Sequence, residues 1–173
     1  MNIMLLSVAV WSGAEAATRD LFHWISAAIA LPTVIFAGKP FFAHVMTTSN
    51  HRPYTYPDGR IDIKSGEGRE GAVKYTDWAI GNFIDRARET PWFDDTVFVI
   101  LADHCASSRG RTELPIDRFH IPLLTYAPRH LAPARIEQLA SQIDVGPTLL
   151  GLLNFDYTSH FFGQDILAEG QRH

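Results

Sequence analysis

The stretch Thr96-Val97-Phe98-Val99-Ile100-Leu101-Ala102-Asp103-His104 decides how the chain is read. Its first seven residues carry no charge and are mostly β-branched, aromatic or aliphatic, which suits a pleated, packed surface. An apolar run without alternation predicts a strand buried on both faces of a parallel sheet. Asp103 and His104 follow at once, so the strand delivers a carboxylate and an imidazole to its carboxyl end. In open α/β sheets that end is where ligands gather.

Upstream, Lys39-Pro40 introduces a second short apolar run, Phe41-Phe42-Ala43-His44-Val45-Met46, which predicts another buried strand with His44 packed in its middle. It ends in the polar cluster Thr47-Thr48-Ser49-Asn50-His51-Arg52-Pro53, so a second strand end carries Asn50 and His51. Between Pro53 and Gly71 the prolines, glycines and charges predict an exposed loop. From Glu70 to Glu89 the pattern turns helical, with Val73, Ile80, Ile84 and Ala87 near one face and Thr90-Pro91 as the stop. Downstream, Ile121 to Tyr126 predicts a further strand and Ile136 to Ala140 a short helix. Asp144 then starts a helix through Val145-Gly146-Pro147-Thr148-Leu149-Leu150, with Leu152 and Leu153 packing behind it. Alternating helices and buried strands predict an α/β layered fold.

The composition agrees with one globular core. The chain has 173 residues, 46% hydrophobic and 20% charged, and a formal net charge of −4. That balance leaves no basic footprint, which argues against nucleic acid as a partner. The lone Cys105 excludes an internal disulfide. Met1 to Val10 is apolar and precedes the small-x-small Ala14-Glu15-Ala16, but no Lys or Arg comes before it, as a signal peptide requires. A second apolar stretch, Leu21 to Ala37, is interrupted by His23 and Pro32 and is short for a span of about 20 residues. An ordinary helix opening near Thr18, followed by a strand, accounts for this region better than a membrane-targeting remnant.

The chemistry of the two strand ends points to a metal. An oxygen and an imidazole nitrogen together suit Zn²⁺ or Mn²⁺ better than Ca²⁺, and the turn after Ala102 would let adjacent residues face one ion. The competing reading is a turn that carries a solvated histidine. For His51 the competing reading is a loop histidine that caps a turn. His120, at the start of the predicted fourth strand, is weighed as an outer or second-metal ligand, with a structural histidine the simpler assignment; Glu113, in the polar loop before it, lies near the site and is taken as exposed.

Phe41 to Tyr54 resembles the strand and substrate loop of lipoteichoic acid synthase-like phosphoglycerol transferases, in the sulfatase branch of the alkaline phosphatase superfamily. Val97 to His104 is similar to the strand that ends in that family's metal-binding Asp-His. Lys74-Tyr75-Thr76-Asp77, Ser141 to Leu150 and Phe161 to Leu167 resemble further segments in the same order. The resemblance covers residues 40–167, taken as the C-terminal half of a catalytic domain, with 1–39 matching poorly and 168–173 as a tail. It implies an α/β, partial alkaline-phosphatase-like layered fold with a mostly parallel central sheet flanked by helices. It also implies a divalent metal, Mn or Zn rather than Mg or Ca, held by Asp103 and His104. His51 would be catalytic, touching the substrate anion or protonating its leaving oxygen, and Asn50, His51 and Arg52 would bind substrate. The substrate class implied is a phosphorylated or sulfated small molecule or lipid head group, and the localisation a membrane-anchored enzyme with its catalytic domain outside the cytoplasmic membrane.

Two departures qualify the resemblance. Cys105 stands where many relatives carry glycine, and a packed thiol accounts for it better than an extra ligand. More important, nothing before Phe41 matches the segments that bring the family's acidic ligand and its Thr or Ser nucleophile; Thr47, Thr48, Ser107 and Ser108 do not occupy that motif. The expectation is a chain impaired on its own. It would be a truncated enzyme, a degenerate non-catalytic protein, or one half of a split enzyme, open to a missing N-terminal half or to self-association through an exposed sheet edge.

Overall fold

The computed structural model describes residues 2–8, 40–105 and 119–168, the first of these as backbone alone. The helix expected after Thr18 and the loop carrying Ser107, Ser108 and Glu113 lie outside the described residues. Two compact units divide the chain, residues 1–131 and 132–173.

The first unit is built on a four-stranded sheet in the order β2-β1-β3-β4, with β1 Asn2–Val8, β2 Phe42–Thr47, β3 Thr96–Ala102 and β4 Leu123–Tyr126. β1 pairs in parallel with both β2 and β3, and only β4 runs antiparallel, against β3. The sheet is therefore mostly parallel, as expected, but its centre includes a strand that sequence reading left unassigned. Met1–Val10 has the apolar run of a strand as much as that of a targeting segment, and only its two neighbours distinguish them. The fourth strand is shorter than expected, because Pro122 has no N–H to give to the ladder.

Among the described residues of this unit one long helix, α1 Arg69–Ala87, packs on the sheet and supplies much of the core. It starts at Gly68, whose φ of 141° suits glycine. It stops where the Thr90 hydroxyl and amide both donate to the Ala87 carbonyl, just before Pro91. Its buried stripe is Ala72, Tyr75, Thr76, Ala79, Phe83, Ile84 and Ala87, while Val73, expected on that face, is 52% exposed. The stripe follows the small and aromatic residues because β3 presents Phe98, a ring that needs flat partners. Phe98 is fully buried, 6.1 Å from the Phe83 ring in an edge-on pair and 5.4 Å from Phe93, with Tyr126 of β4 at 6.2 Å. Ala43 and Val45 pack against the same cluster. β2 alternates, so Phe42, His44 and Met46 face the other way and are exposed; His44 is thus not the packed residue its mid-strand position suggested.

The second unit holds a 3₁₀ turn, Gln142–Asp144, and α2 Val145–Leu152. Asp144 organises it. One carboxylate oxygen accepts from the Ser141 amide (2.8 Å) and the other from the Gln164 amide (2.8 Å), closing a capping box and pinning a return segment from 20 residues away. The Thr148 hydroxyl donates to the Asp144 carbonyl and accepts from the Ile166 amide. Gly163 lies against the Ile143 carbonyl with no room for a Cβ. The helix expected at Ile136–Ala140 does not form: those residues are irregular and exposed, Leu139 by 82%, so little apolar burial offsets the cost of ordering a helical turn.

Two outcomes are expected. Phe98→Ala removes the ring that four aromatic neighbours enclose and should cost about 3–5 kcal/mol in denaturant unfolding followed by circular dichroism. Asp144→Ala should cost about 1–2 kcal/mol and speed amide exchange at both Ser141 and Gln164, read by NMR.

Candidate functional site

Parallel pairing on both sides of β1 places the ends of three strands in one row. Thr47 of β2 and Ala102 of β3 both register with Val8 of β1. Asn50-His51 and Asp103-His104 therefore leave the same edge of the sheet, separated by the width of one intervening strand, about 10 Å between the outer strands.

At the β3 end the backbone bends at once. The His104 amide donates to Asp103 Oδ1 (2.9 Å), and His104 Nδ1 lies 2.7 Å from the Cys105 carbonyl. A carbonyl only accepts, so Nδ1 carries the proton and Nε2 carries the lone pair when the ring is neutral. Nε2 stands 3.6 Å from Asp103 Oδ2. Two donors on one tetrahedral cation, each about 2.0–2.2 Å from it, lie about 3.4 Å apart. The pair thus has the tautomer and the spacing of two ligands, and Asp103 is partly shielded from water. Among the described residues no group of three or more His, Cys, Asp or Glu side chains could hold a metal ion. Cys105 is in no disulfide and of intermediate burial, and His120 is exposed ahead of β4.

At the β2 end a tight turn presents the other residues. The His51 amide donates to the Thr48 carbonyl (3.0 Å) and the Tyr54 amide to the His51 carbonyl (2.7 Å), across a cis Arg52–Pro53 peptide. His51 Nδ1 lies 2.6 Å from the Arg52 carbonyl, which again fixes the proton on Nδ1 and leaves the lone pair of the neutral ring on Nε2. Thr47 Oγ1 and Asn50 Oδ1 are buried without a hydrogen-bond partner among the described residues. Buried polar atoms are nearly always satisfied, so a water or another group is expected to complete the bonding of these two oxygens.

The following loop is more ordered than its composition predicted. Tyr56 is buried, stacks on Tyr75 at 4.8 Å and donates to the Ile63 and Lys64 carbonyls, while its amide donates to Ser65 Oγ (2.9 Å). Desolvation of the Tyr75 phenol pushes its pKa up. Gly71 lets α1 approach this loop, since a Cβ there would meet the Tyr56 hydroxyl and Ile63. So anchored, the loop brings Arg69 of α1 onto Tyr54: Nη2 donates to the phenol oxygen (3.2 Å) and the guanidinium sits 5.8 Å from the ring centroid. Sequence reading named neither Tyr54 nor Arg69, because the contact joins positions 15 apart through a loop with no periodic signal.

A family model, Sulfatase, matches residues 13–155. The chain belongs to the sulfatase family. Its likeness to a solved alkaline phosphatase superfamily protein from Vibrio parahaemolyticus covers 99% of this chain and 48% of that one, at TM-score 0.76 and 29% identity. The α/β fold expected from the resemblance is the one observed. Among curated proteins the sulfatase-family chain is similar to phosphoglycerol transferase I of Xanthomonas euvesicatoria, 28% identical over 143 residues (79% of this chain, 20% of that protein). It is also similar to lipoteichoic acid synthase 2 of Bacillus subtilis, 24% identical over 165 residues (83% and 25%). A third likeness is of another kind: nitrogen fixation protein FixI of Rhizobium meliloti is 39% identical over 120 residues, 65% of this chain but only 15% of that protein. The chain spans a quarter or less of each of these curated relatives.

The orphan hydroxyl of Thr47 gives a direct check. Thr47→Val replaces it with a methyl group and should raise stability by about 1 kcal/mol in denaturant melts, the sign expected of a site residue and opposite to that of a structural threonine.

Proposed function

We propose that this chain contributes the metal-ligand and substrate-binding strand ends of an enzyme that hydrolyses or transfers phosphate esters, phosphoglycerol-type phosphodiesters ahead of sulfate esters. The observation that carries the reading is the arrival of Asn50-His51 and Asp103-His104 at one edge of a parallel sheet, with the proton of each imidazole committed to Nδ1 by a backbone carbonyl. Family membership supports the ester class, and the Thr-Ser-Asn-His motif shared with phosphoglycerol transferases supports the phosphodiester.

Asp103 and His104 are the residues that would hold a divalent cation, Mn²⁺ or Zn²⁺. When bound, it would supply Lewis acidity to an ester oxygen and a lowered pKa to an attacking hydroxyl. The chain's own part in the reaction is binding and proton placement. His51 Nε2, opposite the nitrogen that the Arg52 carbonyl holds, donates a hydrogen bond to the ester when the ring is charged and is the atom that gives the leaving oxygen its proton. Asn50 and Arg52 flank it, the amide as a neutral donor and the guanidinium as a charge that offsets a developing oxyanion. Two ligands are fewer than the three or four of tight sites, so an acidic ligand and the nucleophile are to be supplied from beyond the described residues. The whole enzyme, on this reading, is anchored at a membrane and works outside the cytoplasmic face. No helix among the described residues is long and apolar enough to cross a membrane.

Calorimetric titration of Mn²⁺ and Zn²⁺ into this chain and into its Asp103→Ala/His104→Ala variant tests the assignment. Binding should be weak, and the variant should lose it at least about tenfold. Equal binding by both proteins would place the metal elsewhere, and release of sulfate without any phosphodiester cleavage by the assembled enzyme would reject the substrate class.

A further inference from the structure

A third imidazole stands at the sheet edge where Asn50-His51 and Asp103-His104 leave it. β4 runs antiparallel to β3, so its amino end lies beside the carboxyl end of β3, and the last registered pair is Leu101 with Leu123. Pro122 has no N–H to extend the ladder. The same register carried two and three residues further sets Ile121 opposite Asp103 and His120 opposite His104. Neighbouring strands lie about 5 Å apart, so His120 comes one strand spacing beyond the Asp103-His104 pair. β4 is on the side of β3 away from β1 and β2. The order across the edge is therefore His51, the Asp103-His104 pair, then His120. Of the residues that lead into β4, Phe119-His120-Ile121-Pro122, His120 alone has a polar side chain. It is exposed, and no hydrogen bond or ion pair with a described residue engages its ring. It does not act as a third metal ligand, since no group of three such side chains among the described residues could hold an ion.

In a displacement at phosphorus the incoming and outgoing oxygens stand roughly in line, on opposite sides of the reacting atom. One of them loses a proton and the other gains one, so proton-handling groups belong on both flanks of the centre. His51 stands on the β2 flank, and His120 is the polar side chain that enters β4 on the other. We propose that His120 is a second substrate-contacting imidazole, on the flank opposite His51, where it receives the proton of the incoming hydroxyl. A lone pair of the incoming oxygen forms the new P–O bond as its proton passes to a nitrogen of the His120 ring. The P–O bond to the leaving group breaks with its electron pair on the leaving oxygen, which takes a proton from His51 Nε2. One proton is taken up and one is given, so no further reactant is needed. The inference rests on the reading of these strand ends as a substrate site, and it adds the residue on the acceptor side.

Methyl phosphate titrated into the full chain without added metal, followed by NMR on the ring C–H signals of His51 and His120, tests this. A phosphate held at the centre lies against both rings, so both signals should move along one saturation curve. His120→Gln should weaken binding about three- to tenfold while the His51 signal still moves at saturation. Position 120 is exposed, so this substitution leaves the core untouched, and amide signals of β3 and β4 check that. Movement of the His51 signal alone, or an affinity that His120→Gln leaves unchanged, would overturn the role of His120 and leave the reading of the His51 turn standing. Silence of both rings would reject that reading as well. Placement has its own check. Mn²⁺ at substoichiometric amounts should broaden the His120 ring signal in the native chain and not in the Asp103→Ala/His104→Ala variant. Broadening that reaches His104 and spares His120 would set the start of β4 away from the pair and overturn the proposal.

Discussion

Everything in the first unit depends on β1 pairing in parallel with two strands at once. A parallel ladder fixes not only which strands are neighbours but which ends coincide, and here it brings the ends of β2 and β3 level with each other across Val8. Residues 47–54 and 103–105 are far apart in sequence, and no local preference draws them together. The backbone hydrogen bonds of a strand that carries no site residue of its own do so. A slip of two residues in either pairing would move one strand end about 7 Å along the sheet and separate the groups.

Phe98 holds that sheet against α1. Its ring lies between Phe83 of the helix, Phe93 of the preceding turn and Tyr126 of β4, so three elements share one buried surface. Aromatic contacts of this kind constrain orientation as well as distance, since edge-on and tilted pairs are preferred over face-to-face ones. The same helix carries Tyr75, which anchors the loop behind the β2 turn, and Arg69, which reaches Tyr54. Packing on one side of the helix and polar positioning at its first turn are therefore linked: a shift of α1 along the sheet moves both.

The two histidines show how little chemistry a strand end needs from side chains to become specific. In each case the carbonyl of the next residue accepts a hydrogen bond from Nδ1–H, at 2.6 Å for His51 and 2.7 Å for His104. That single bond sets the tautomer, orients the ring and decides which nitrogen meets a ligand. At the β2 end, Thr47 Oγ1 and Asn50 Oδ1 are buried without a hydrogen-bond partner among the described residues. The chain belongs to the sulfatase family and spans only a fraction of its curated relatives' length.

The sequence by itself determined the elements whose signal is local. β3 was legible from seven uncharged residues in a row, α1 from its helical pattern from Glu70 to Glu89, and α2 from Asp144 ahead of an apolar run. The strand-end residues Asn50, His51, Arg52, Asp103 and His104 were legible because each follows such a strand directly. What failed locally failed for non-local reasons. Residues 136–140 have helical propensity but stay exposed, Val73 has the right spacing but lies outside the buried stripe of the helix, and His44 alternates onto the exposed side of β2. Only the tertiary structure made β1 the central strand, because an apolar heptapeptide becomes a strand when neighbours satisfy its backbone on both sides. Only the tertiary structure placed Arg69 on Tyr54, because that contact needs the loop from 54 to 68 to close, and closure comes from Tyr56 burying its ring against Tyr75.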